Sequence, residues 1–224
     1  MSISGGSVET RKADRLKAQG ASMLAELRVA AEVTVFVVAL IWVVQAFNAA
    51  DGYRLDGEYG IVARSLPSLP HIITAPFLHL GLDHIESNTP PLALLTFLAA
   101  LGGIRRFVYA AAIIVVVGGL GTWLVSPSNS DTVGASGLIF GLLGYVAVRG
   151  LFARSPWQAV WQIAVGVAVF VYYQWTLVLL YPSATVSAMH ISWQGHLCGL
   201  IAGILAAVLM WRRGRRLDAE PEPA

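Results

Sequence analysis

Apolar residues in this chain run in long blocks joined by short polar stretches, with little polar alternation inside them. Six blocks stand out: Val29–Phe47, Asp83–Leu101, Phe107–Leu124, Gly134–Val148, Trp157–Tyr181 and His190–Trp211. A membrane-spanning helix needs about 20 mostly apolar residues. The first, third and fifth blocks meet that directly, the second and sixth are polar at their starts, and the fourth is short. The pattern predicts an all-α polytopic membrane protein with six transmembrane helices. An even count places both termini on one side. Composition agrees: the 224 residues are 56% hydrophobic and 12% charged, against about 25% charged in soluble domains.

The formal net charge of +2 says less than the placement of the cations. Arg11, Lys12, Arg15, Lys17 and Arg28 precede the first block, and Arg105 and Arg106 lie between the second and third. Arg149 and Arg154 lie between the fourth and fifth, and Arg212, Arg213, Arg215 and Arg216 follow the sixth; only Arg54 and Arg64 fall in the opposite loops. By the positive-inside rule both termini are cytoplasmic. Residues 1–28 then form a cytoplasmic segment, 29–211 the membrane domain, and 212–224 a cytoplasmic tail whose "LDAEPEPA" reads as disordered. The N-terminus lacks a signal-peptide core, so the first span is expected to act as its own uncleaved signal. The alanine- and arginine-rich composition without a transit peptide points to a bacterial plasma membrane. Cations at segment ends, without interleaved aromatics, exclude nucleic-acid binding. Cys198 is the single cysteine, so no intrachain disulfide forms. No internal repeat supports a transporter of duplicated halves. The long outer connection, about 48–82, contains "SLPSLPHIITAPFLHLGL", too apolar for a free aqueous loop and expected to lie against the bundle.

Chemistry concentrates in three places. The first is "DTVGASGLIFGLLG" at 131–144, where Gly134, Gly137, Gly141 and Gly144 recur at helical spacing as one small-residue face for close helix approach. At about 1.5 Å per residue this block falls short of a bilayer core. Its helix either stops early or begins below the outer surface, and the second option puts Ser136 in the first turn. Alone, Ser136 reads more readily as a small packing residue. The segment also departs from the hydrolase elbow G-x-S-x-G, with Leu138 at the last glycine. The second place is "MHISWQGHLCGLIAGILAAVL", where His196 shares a helix face with Gly199 and Gly203. An ionisable group within a membrane segment is a functional-site hypothesis that needs a partner. Two glycine-lined helices packed together would bring Ser136 and His196 within reach, and a serine nucleophile needs such a base. The third is "HLGLDHIESNTPPLALL", where His84 and Asn88 share a face and both can donate to a developing oxyanion. Asp83 and Glu86 resemble the N-cap and N3 of a capping box. Pro90 and Pro91 should kink that helix, unless it starts only at Asn88. His79, His84, His190, His196 and Cys198 have poor spacing for a shared metal, so neither metal nor cofactor is expected.

Together these motifs resemble the rhomboid intramembrane serine proteases. The match comprises His79-x-x-x-x-His84-x-x-x-Asn88, Gly134-Ala135-Ser136-Gly137 and His196-x-x-Gly199-x-x-x-Gly203, in that order on the second, fourth and sixth spans. It covers roughly Tyr59 to Leu209. The resemblance implies a six-helix bundle with a water-filled cavity open to the outer face. It also implies a Ser–His dyad and cleavage of single-span membrane proteins near that face. Carried over, Ser136 is the nucleophile and His196 the general base. His84, Asn88 and the Ser136 amide are the oxyanion donors, and Gly199 allows the close contact between spans four and six. Phe140 stands where many relatives have tyrosine, so it would hold the imidazole by stacking alone. The Trp-Arg pair of some members' outer loop is absent from "DGYRLDGEYGIVARSLPSLP". The rival reading is a catalytically silent relative that binds and escorts membrane segments. Expected partners are transmembrane protein substrates and the lipid bilayer.

Overall fold

The computed structural model describes residues 5–153, 155–183 and 191–219. The order is α1 (Gly5–Ala50), α2 (Arg54–Tyr59), β1 (Ile61–Val62), α3 (Leu82–Ala100), α4 (Ile104–Val125), β2 (Asp131–Thr132), α5 (Ser136–Arg149), α6 (Pro156–Tyr173) and α7 (Trp193–Ala219). Short 3₁₀ turns fill Leu66–Ile72, Ala75–Phe77, Gly150–Phe152 and Gln174–Leu180. Three helical stretches are long and apolar enough to cross a membrane: Ala18–Ala50, Ile104–Val125 and Trp193–Arg212. The shorter helices α3, α5 and α6 complete an all-helical bundle whose one β element is a two-residue antiparallel pairing, Ile61 with Thr132 and Val62 with Asp131.

Several expected boundaries move. The first block lies within a single 46-residue helix that starts far upstream of Val29. The fifth block ends as α-helix at Tyr173 and tightens into 3₁₀ turns, and α7 continues through Leu217–Ala219, part of the tail read as disordered. Arg154, His190 and residues 220–224 lie outside the described residues. No capping box forms at α3: the helix starts at Leu82 behind Gly81 with no side-chain cap, and Asp83 and Glu86 are exposed. Pro90 and Pro91 sit inside α3, which starts at Leu82, so the alternative late start at Asn88 does not occur. Hydroxyls support this turn: Ser87 Oγ donates to the His84 carbonyl at 2.8 Å and Thr89 Oγ1 to that of Ile85 at 2.7 Å. Thr89 also accepts from Trp42 Nε1 at 3.0 Å, tying α3 to α1.

The outer connection is built, not loose. Ser68 Oγ donates to the Val62 carbonyl (2.7 Å), and Trp123 Nε1 donates to that of Ser65 (3.0 Å). Arg64 donates to the Ser126 carbonyl (2.7 Å), fastening the connection to the outer end of α4. At the start of the same connection Asn48 and Asp56 are buried, with Asn48 Nδ2 donating to Asp56 Oδ1 at 2.8 Å.

The helix pair in most extensive contact is α5 with α7. Glycine sets their separation. A methyl on Gly199 would strike the Gly137 carbonyl oxygen, one on Gly203 that of Gly141, and one on Gly144 would lie 2.6 Å from the Leu200 oxygen. A π-helical turn in α4, Ile114–Gly118, adds a third glycine surface, where a methyl on Gly118 would lie 3.3 Å from the Gly199 Cα. The expected four-glycine face is therefore a three-glycine face. Gly137, Gly141 and Gly144 meet α7, whereas Gly134 precedes the helix at φ +119°. That left-handed conformation is one that a β-carbon resists.

Candidate active site

Ser136 is the first residue of α5. The segment before it is held from two sides: Gly134 N–H donates to the Ala75 carbonyl at 2.9 Å, and Ala135 N–H donates to His79 Nε2 at 3.3 Å. His79 thus reaches from the outer connection to the segment that carries Ser136. An imidazole nitrogen accepts only when it carries no proton, so His79 is neutral with its hydrogen on Nδ1. Burial together with the neighbouring His84 pushes its pKa down to about 4.

His196 lies in the first turn of α7, whose N-terminus Ser192 caps. Ser192 Oγ accepts from Gly195 N–H at 3.2 Å, and the Ser192 carbonyl accepts from His196 N–H at 3.2 Å. The imidazole is 5% exposed and stacks on Phe140 with ring centroids 4.4 Å apart and planes 21° apart. Its Nδ1 lies 3.1 Å from the Leu179 carbonyl. A carbonyl can only accept, so Nδ1 holds the proton and Nε2 keeps its lone pair.

The two candidate dyad residues thus occupy the first turns of the helix pair in closest apposition. Gly137, next to Ser136, and Gly195, next to His196, meet across the interface, the Gly195 oxygen 3.4 Å from where a Gly137 methyl would sit. No hydrogen bond joins Ser136 and His196 themselves; the His196 ring bond goes to Leu179. Catalytic hydrogen bonds are commonly loose until substrate is bound.

Asn88 and His84 come to the same place from α3. Asn88 is 7% exposed, and its Nδ2 is buried without an acceptor. A buried, unpaired donor carries a cost of about 1–3 kcal/mol unless something it meets in use relieves it. His84 packs against Gly134, its Nε2 2.8 Å from the position a methyl there would take, with Asn88 Nδ2 at 3.7 Å. Gly134 thus admits both side chains beside Ser136. Ser136 also faces a small cavity of about 50 Å³ lined in part by Ala75, Pro76, Val133, Gly118, Gly119 and Ser192.

Three contributors were missed from sequence: Ser192, the Leu179 carbonyl and the reach of His79 to Ala135. A serine just before the apolar run was a readable cap signal. A backbone carbonyl carries no signal at all.

Residues 67–213 match the Rhomboid domain family. An uncharacterized protein of Mycobacterium tuberculosis (strain ATCC 25618 / H37Rv) is 41% identical over 187 residues, 81% of this chain and 75% of that one. One from Mycobacterium leprae is 36% identical over 189 residues, covering 82% and 72%. A Bacillus subtilis protein named "Putative rhomboid protease YdcA" is 34% identical over 87 residues, 38% of this chain and 43% of that one. With the family match spanning well over half of its length, the chain belongs to the rhomboid family.

Proposed function

We propose that the protein is an intramembrane serine endopeptidase of a bacterial plasma membrane. It has six spans (α1, α3, α4, α5, α6 and α7) and both termini in the cytoplasm. It hydrolyses peptide bonds in or next to the transmembrane segment of single-span proteins. The observation that carries this reading is the tautomer of His196. The Leu179 carbonyl engages Nδ1 and leaves Nε2 basic, on a ring held by Phe140 across from the serine-bearing turn.

In the proposed reaction, Ser136 Oγ attacks the scissile carbonyl carbon while His196 Nε2 takes the hydroxyl proton. The oxyanion is met by Asn88 Nδ2, His84 and the Ser136 amide, with the N-terminus of α5 favouring negative charge there. His196 then gives its proton to the leaving amine, and the C–N bond breaks to leave an acyl-serine. Water attacks the ester and loses a proton to Nε2, which passes it to Ser136 Oγ as the C–O bond breaks, releasing the new carboxyl terminus and restoring the resting dyad. Leu179 does the orienting work that an acid performs in a triad, stabilising the imidazolium through Nδ1–H.

The test is cleavage of a panel of transmembrane segments in detergent. Ser136→Ala folds and loses all cleavage. A fluorophosphonate labels the wild type and not His196→Ala. Full cleavage by Ser136→Ala, or equal labelling of both proteins, refutes the assignment, and the silent escort reading then stands.

A further inference from the structure

At the opposite end of the bundle from Ser136, cations gather without acids. Arg149 ends α5, and Arg106 lies in the first turn of α4. Their side chains converge on the α3–α4 turn, where a methyl on Gly102 would find Arg149 Nη1 at 3.6 Å and Arg106 Cδ at 4.0 Å. Arg149 is half-buried. One of its nitrogens donates to the Ala99 carbonyl at 3.4 Å, and its guanidinium carbon lies 5.9 Å from the centre of the Tyr145 ring. Its Nε is buried with no acceptor. Neither connection, "LGGIRRF" or "VRGLFARSP", contains Asp or Glu. The ion pairs among the described residues lie elsewhere: Arg28 with Glu32, and Arg54 with Asp51 and Glu58. Phe152 meets Trp211 at 5.4 Å, so the exposed Arg212 also belongs to this end.

Two guanidinium groups side by side repel, and a buried unpaired N–H is costly. Both terms are relieved by one anion with several acceptor oxygens, and a planar guanidinium suits phosphate. Basic pockets between helices on the cytoplasmic side of a membrane are fitted to anionic headgroups. We propose that Arg149 and Arg106 clamp the phosphate of an anionic phospholipid at the α3–α4 turn. The leaflet follows from the orientation proposed above, while the binding does not depend on peptidase activity.

The experiment is thermal unfolding of the full chain in bilayer discs of phosphatidylcholine alone and of phosphatidylcholine with phosphatidylglycerol. Each arginine near an anionic surface contributes enough that two of them amount to a gain of about 4–8 °C in a chain of this size. The wild type gains this in the anionic discs. Arg106→Gln, an exposed change that leaves the fold intact, loses at least half of the gain. Arg105→Gln, its neighbour pointing elsewhere on the helix, keeps it. Native mass spectrometry of the wild type retains phosphatidylglycerol, and of Arg106→Gln retains less. Equal melting in both discs overturns the proposal. So does an equal loss in the Arg105 and Arg106 variants, which would mean diffuse surface attraction. Full reproduction of the gain by inorganic phosphate in detergent assigns the site to a free anion and overturns it as well.

Discussion

Replacing Gly199 with alanine tests the arrangement on which the site depends. The added methyl would lie against the Gly137 carbonyl oxygen closer than any non-bonded contact allows, with the Gly137 carbonyl carbon at 2.9 Å and its Cα at 3.2 Å. All three atoms are backbone, so no rotamer change relieves the clash, and α7 has to move off α5 by about an ångström to reach ordinary contact near 3.5 Å. Overpacking of this kind costs about 1–3 kcal/mol, and a clash against rigid backbone belongs at the upper end. Alanine returns about 1 kcal/mol in helix propensity, leaving a net loss of about 2 kcal/mol. In a chain of this size that lowers the melting temperature by about 4–8 °C. The effect on cleavage is larger, because misplacing a catalytic group by about an ångström costs about 100-fold. Gly137→Ala is the control for stability: its methyl would meet the Gly195 oxygen at 3.4 Å, an ordinary contact, so its melting temperature holds or rises. Both variants are read by thermal unfolding in detergent and by cleavage of a model transmembrane substrate. Should Gly199→Ala melt and cleave like the wild type, the close backbone contact is not what assembles the site.

Three other changes separate individual contributions. Asn88→Ala removes a donor that is unpaired in the resting site, so kcat falls about 100-fold or more with KM nearly unchanged; a pure rise in KM argues against an oxyanion role. His79 accepts the Ala135 N–H only while neutral, and its folded pKa of about 4 lies below the usual 6.5. The unfolded chain therefore takes up its proton first, and stability present above pH about 6.5 declines as pH falls toward 4. Melting temperature followed over that range drops less steeply in His79→Gln. Asp56 is the opposite case: burial holds its carboxyl above its ordinary value, so the ionised form opposes folding at neutral pH. Asp56→Asn keeps an acceptor for Asn48 and raises the melting temperature at pH 7, a gain that shrinks as pH falls toward about 4, where the carboxyl is protonated in both folded and unfolded chains.

The sequence disclosed what rests on side-chain chemistry carried along one helix. His196 with Gly199 and Gly203, and His84 with Asn88, were legible because helical spacing fixes which residues share a face. Phe140 was legible as a stacking partner only through the family resemblance, which puts an aromatic ring one turn beyond Ser136. The illegible parts rest on the backbone or on chain-distant pairings. Gly134 looked like the start of the glycine face because 134 and 137 fit helical spacing; its positive φ, in a segment that donates to Ala75 and His79, takes it out of the helix. Asp83 and Glu86 matched a capping box that does not form, since Gly81 begins the helix and leaves both acids exposed. The tie from His79 to Ala135 joins residues 56 apart in the chain, and no local pattern encodes that.

The bond from His196 to Leu179 has one more implication. Leu179 belongs to the 3₁₀ stretch that prolongs α6, a helix whose outward side chains Trp157, Trp161, Phe170 and Tyr172 are largely uncovered. Swinging that stretch away from the bundle would withdraw the acceptor from Nδ1 and let the imidazole proton migrate to Nε2, silencing the base. In the proposed peptidase, opening on this flank would therefore disfavour the tautomer that proton abstraction needs, and closing it would restore that tautomer.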